Sequence, residues 1–123
     1  QIRSSAASDV YKRQIHHEIF HMIDNSFPEL FKKNKWSKLN NKDFSYASCS
    51  TCTDLLGLDL EITKGFLTEY SMSTAEEDMA EIYSLLKTNF KEIDLLIKKD
   101  NILTKKKNFL INGLKEIDEK FIF

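Results

Sequence analysis

The sequence predicts a mainly α-helical chain, on three observations. Only three Gly and one Pro interrupt its 123 residues, too few for a fold rich in tight β turns. Several stretches repeat apolar residues at helical spacing. Hydrophobic residues make up 41% and charged residues 30%, the balance of an ordinary globular domain at a length that allows one domain at most.

The elements follow in chain order. Residues 1–14, QIRSSAASDVYKRQ, are rich in Ser and Ala, whereas the rest is rich in Lys, Asn, Ile and Phe. The string resembles a translated sequencing-adapter segment and is set aside from the fold reading, so that the protein proper would begin upstream of Ile15. A first helix follows. At about 100° per residue, Ile15, Ile19, Met22 and Ile23 share one face, which is expected to pack inward. His17, His21 and Asp24 share the opposite face, and His16 points away from that pair. Phe27-Pro28 ends or reorients the helix. Residues 25–64 read as irregular, with Trp36 as an anchor in the core and LGLDLEI (56–62) as a short strand. Ser73 with Glu76 three residues later forms a capping box, so a second long helix should begin near Thr74. Its apolar stripe is Met79, Ile82, Tyr83 and Leu86, while Glu77 and Glu81 share the polar face with Ser84 and Thr88. Two packing helices complete the chain. One spans about Lys91 to Lys99, and the other about Leu103 to Phe121 with Leu110, Leu114, Ile117 and Phe121 on one buried face.

Composition excludes some functions. A formal charge of −1 leaves no electrostatic footprint for nucleic acid. No apolar run approaches the roughly 20 residues of a spanning helix. Lys105-Lys106-Lys107 reads as a solvated helix face. Cys49 and Cys52 form a C-x-x-C without a second pair, which reads as two loop or half-buried thiols before a local disulfide, and not as metal ligands.

The chemistry lies in His17-Glu18-Ile19-Phe20-His21, an H-E-x-x-H. Two imidazoles one helical turn apart can converge on one zinc ion. Glu18 between them can take a proton from a water activated there and pass it on as general base and shuttle. Asp24, one turn beyond His21, can accept the second ring N–H of a ligating histidine. A third ligand must come from elsewhere. Asp24, Glu76, Glu77, Asp78 and Glu81 compete; Glu76 is best used in the cap, and Asp78 points away from the polar stripe. Between Glu77 and Glu81 the spacing does not decide.

H-E-x-x-H-x-x-D, followed some fifty residues later by Tyr-Ser-x₅-Glu-Asp-x-Ala-Glu, resembles the gluzincin zinc metallopeptidases, especially the lethal-factor-like group and bacterial zinc-binding metallopeptidases. The resemblance covers about residues 15–90. It implies His17, His21 and Glu77 as ligands of one Zn²⁺, Tyr70 as the hydroxyl aimed at the substrate carbonyl, and Asp24 and Glu81 as supports of the ligand shell. It further implies that residues 15–123 are the C-terminal part of a zincin-like α+β catalytic domain. That part would hold an active-site helix, a ligand helix and two packing helices, with the N-terminal sheet missing. The expected activity is zinc-dependent hydrolysis of a peptide or protein substrate. The rival expectation is a non-catalytic, zinc-containing helical binding module.

Overall fold

A computed structural model describes residues 2–123. It is mainly helical: α1 (Ile2–Ser26), α2 (Lys33–Ser37), α3 (Ala75–Thr88), α4 (Phe90–Lys98) and α5 (Asn101–Ile117), with 3₁₀ turns at Pro28–Leu30 and Tyr70–Met72. A two-stranded antiparallel sheet pairs β1 (Leu60–Thr63) with β2 (Phe66–Thr68), in register Leu60 to Thr68 and Thr63 to Phe66. The stretch 25–64 is therefore less irregular than its sequence suggests. Lys33–Ser37 is helical because Trp36, fully buried, pulls that turn into the core.

α3 is the central element. Every residue from Asp78 to Leu86 is buried, so both its apolar stripe and its polar stripe lie inside. The apolar stripe joins Phe20, Phe31, Trp36, Leu67, Ile93, Ile97, Leu103, Leu110 and Leu114 in one core. α3 begins one residue later than its capping box implies. Thr74 is the N-cap, its hydroxyl accepting from Glu77 N at 3.2 Å, while Ser73 donates to Tyr70 O at 2.6 Å and closes the preceding 3₁₀ turn.

α1 packs on α3 with the face opposite to the one expected. Phe20, His17 and Asp24 are buried, whereas Ile15, Ile19 and Met22 are 46%, 36% and 68% exposed. Ile23 alone of the four packs against the core. The buried carboxylate of Glu81 and the half-buried one of Glu77 decide the orientation. A carboxylate out of water must find donors, and the histidine face of α1 supplies them.

On the other side of α3 lies a second polar group. Lys106, 0% exposed, reaches Asp78 Oδ2 at 2.7 Å and Gly65 O at 2.6 Å. Its ammonium also sits 3.8 Å from the Phe66 ring centroid. Trp36 Nε1 and Tyr46 OH donate to the same Asp78 oxygen at 3.1 and 2.5 Å. The Lys105–Lys107 run is thus not a uniformly solvated face: its middle lysine is a core residue. Gly65, at φ +87°, turns β1 into β2, and a Cβ there would meet Ile102 Cγ2 at 2.8 Å. α5 starts at Asn101 because Asp100 caps Ile102 N and Leu103 N. It stops at Ile117, so Ile117 is 38% exposed rather than part of the buried face.

Candidate metal centre

α1 and α3 bring three of the expected residues to one point. His17 Nε2 and His21 Nε2 lie 3.1 Å apart. Glu77 Oε1 is 2.9 Å from the first and 2.6 Å from the second. The helical repeat sets this: His17 and His21 stack one turn apart on α1, and Glu77 projects from the first turn of α3. Glu18, exposed on the rim, also brings an oxygen within 4.8 Å of the histidine pair. Glu77 is much the closer.

Glu81, one turn after Glu77, stands behind His17. Its Oε2 lies 3.0 Å from His17 Nδ1, which makes Nδ1 an N–H donor and leaves Nε2 as the ring atom facing Glu77 and His21. Arg13 Nη2 and Thr68 Oγ1 both donate to Glu81 Oε1 at 2.8 Å, so Glu81 is held on each side. Neither donor is named by the motifs. Arg13 lies one turn before His17, a readable spacing that is lost when residues 1–14 are set aside. Thr68 comes from a strand and carries no periodic signal toward α3.

Tyr70 OH donates to Glu77 Oε2, leaving Oε1 for the histidines. Asp24 is buried but joined to Lys33 Nζ at 2.6 Å, not to an imidazole. His16 faces Tyr83, with ring centroids 6.4 Å apart, away from the centre. Cys49 and Cys52 form a disulfide in place of two free thiols, and no ligand atom of the centre belongs to them.

The electrostatics follow from this packing. Burial alone would lower the His17 pKa, but hydrogen bonds and charge from Glu77 and Glu81 raise it to about 9. Burial works against the Glu77 carboxylate, yet hydrogen bonds from His17, His21 and Tyr70 hold it well below the usual carboxylate range. Glu81 is lowered too: burial opposes ionisation, and His17, Arg13 and Thr68 outweigh it. Burial and the Glu77 carboxylate push the Tyr70 phenol above its ordinary value.

The donor set fits a zinc ion. With Nδ1 of His17 committed to Glu81, the inward-facing atoms are imidazole nitrogens and a carboxylate oxygen, the borderline ligands zinc takes. Three atoms bound to one zinc at 2.0–2.1 Å would sit about 3.3 Å apart, somewhat wider than the 2.6–3.1 Å found here. An open cleft of about 370 Å³ leads to the centre between Glu18, His17, Tyr70, Leu58 and Asp59.

The model of a family described as "Putative zinc-binding metallo-peptidase" matches residues 1–123. The chain belongs to this family. The match spans α1, α3 and the centre between them. No curated protein and no solved structure is similar enough to match the chain.

Proposed function

We propose that this chain hydrolyses peptide bonds as a gluzincin-type, lethal-factor-like zinc enzyme, with one zinc ion held by His17, His21 and Glu77. Residues 15–123 are then part of a zincin-like catalytic domain. The observation that carries the reading is the convergence of His17 Nε2, His21 Nε2 and Glu77 Oε1 within 2.6–3.1 Å, with Glu81 fixing the tautomer of His17. Zinc in such a site acidifies a water molecule and polarises the scissile carbonyl.

The chain's own groups do the rest. Glu18 lines the cleft, where its carboxylate takes the proton of the attacking water and returns it to the leaving amine. Tyr70 lines the same cleft. Its hydroxyl, which holds Glu77 Oε2, turns to the oxygen that becomes negative as the carbonyl is attacked. Glu81 keeps the His17 ring in place throughout, with Arg13 and Thr68 holding Glu81. Asp24 acts one layer further out, fixing α1 to Lys33. The substrate is a peptide or protein segment lying along the cleft.

Glu18→Gln separates this reading from a non-catalytic zinc module. The variant should retain zinc and lose nearly all turnover of a peptide library, because only proton transfer is removed. Tyr70→Phe should lower kcat roughly 10- to 1000-fold if it stabilises the oxyanion. Equal activity of wild type and Glu18→Gln would overturn the catalytic reading.

A further inference from the structure

Ser71 has no part in the chemistry just proposed, yet it is 0% exposed, as is Thr68 three residues earlier. The two bind each other. Ser71 N donates to Thr68 Oγ1 at 3.1 Å, and Thr68 N donates to Ser71 Oγ at 3.3 Å. Ser71 Oγ in turn donates to Thr68 O at 2.5 Å. Each side chain is thus bonded to the backbone of the other, a reciprocal pair that staples the end of β2 to the Tyr70–Met72 turn. A threonine hydroxyl has one proton to give. Thr68 Oγ1 accepts from Ser71 N and gives that proton to Glu81 Oε1 at 2.8 Å.

Tyr70 lies inside this staple. Its N–H donates to Gly57 O at 2.9 Å, and its carbonyl accepts from Ser73 N at 3.0 Å and Ser73 Oγ at 2.6 Å. Its phenol donates to Glu77 Oε2. Gly57 is exposed, so water can take over that contact. The Thr68–Ser71 bonds lie out of reach of solvent, and a group unpaired there finds no replacement. The phenol stands at the far end of a long side chain, so a small turn of its backbone becomes a large displacement of its oxygen. Roughly 1 Å at a reacting group is enough to cost much of a rate.

We infer that Ser71 is a positioning residue for Tyr70: through its reciprocal bonds with Thr68 it fixes the turn from which the phenol reaches Glu77. The two members divide the work. Thr68 serves Glu81 directly, and Ser71 serves the Tyr70 turn. Neither bond of Ser71 Oγ reaches a histidine or a carboxylate, so its removal leaves the three proposed ligands and both donors to Glu81 in place. What changes is the aim of the phenol.

The consequence for turnover rests on the proposed function; the position of Tyr70 does not. The test uses the full chain, free of metal, with ¹³C-labelled tyrosine rings, the Tyr70 resonance being identified by its absence in Tyr70→Phe. Ser71→Ala should shift the Tyr70 signal and leave in place those of Tyr46 and Tyr83, which pack in or against the core. Thr68→Val, which keeps the shape and removes the hydroxyl, should shift it too, and Thr68→Ser should return it to the wild-type position. With zinc added, Ser71→Ala should bind the metal as the wild type does, while kcat on a peptide falls roughly 2- to 12-fold at constant KM, the range set by one hydrogen bond. Thr68→Val should also bind zinc more weakly. A Tyr70 signal unmoved in folded Ser71→Ala overturns the inference, as does a joint shift of Tyr46, Tyr70 and Tyr83, which marks general loosening. Where neither variant folds, hydrogen exchange on the unaltered chain decides. The Ser71 N–H should exchange as slowly as the buried amides of α3, and fast exchange there overturns the inference. A wild type that binds no zinc sinks the proposed function instead, and the Tyr70 signal of the metal-free chain still decides the role of Ser71.

Discussion

Replacing Glu77 and Glu81 separately, each by Ala, asks which carboxylate of α3 holds the metal and which holds the ligand. Both are one turn apart on the same face, but their atoms meet different ring nitrogens: Glu77 Oε1 faces Nε2 of both histidines, and Glu81 Oε2 faces His17 Nδ1. Removing Glu77 deletes one of the three proposed protein ligands. Structural zinc sites bind with about 10–16 kcal/mol over four ligands, so one ligand accounts for about 2.5–4 kcal/mol, or roughly 10²- to 10³-fold in affinity. Removing Glu81 leaves all three proposed ligand atoms and frees the His17 ring to turn, a change typically worth roughly 10- to 100-fold. The assay is zinc titration against a chelator of known affinity, with circular dichroism to confirm that each variant is folded. Glu77→Ala should lose more affinity than Glu81→Ala. The reverse order would refute the assignment of Glu77 as ligand and Glu81 as its support.

Two further outcomes follow from the buried charges. Lys106→Met takes the counter-charge from Asp78, which keeps only the neutral donors Trp36 and Tyr46, and the donor from Gly65 O; breaking one partner of a buried pair costs about 3–5 kcal/mol, and urea denaturation showing less than about 1 kcal/mol would contradict the role given to this hub. In the metal-free chain His17 has a folded pKa raised to about 9 from 6.5. Its stabilisation is therefore complete below about pH 6.5 and lost as pH rises through about 9. The thermal midpoint in chelator should fall across that window, and the fall should be absent in His17→Gln. A midpoint that rises there would reverse the sign and the account of His17.

The sequence carries the centre more clearly than the packing around it. H-E-x-x-H is a local, helical signal, so His17 and His21 are legible from spacing alone. The polar stripe of α3 is equally local, and it narrows the third partner to Glu77 or Glu81. What separates these two in space is the rotation of α3 against α1, which no single-helix pattern contains. The inward face of α1 escapes its own periodicity for a related reason. Periodicity assigns the core to Ile15, Ile19 and Met22, whereas the carboxylates of a helix some sixty positions later draw the histidine face inward. Lys106 fails in the same way, because an exposed and a buried lysine look alike until Asp78 is placed beside it. The disulfide depends on a loop geometry that a lone C-x-x-C does not specify.

X-ray absorption at the zinc edge, on the purified chain loaded with zinc and freed of excess, tests the central claim most directly. The account predicts about one zinc per chain, with two imidazole nitrogens and a carboxylate oxygen from the protein and no sulfur in the shell. A chain that retains no zinc, or a shell containing sulfur from Cys49 or Cys52, would contradict it.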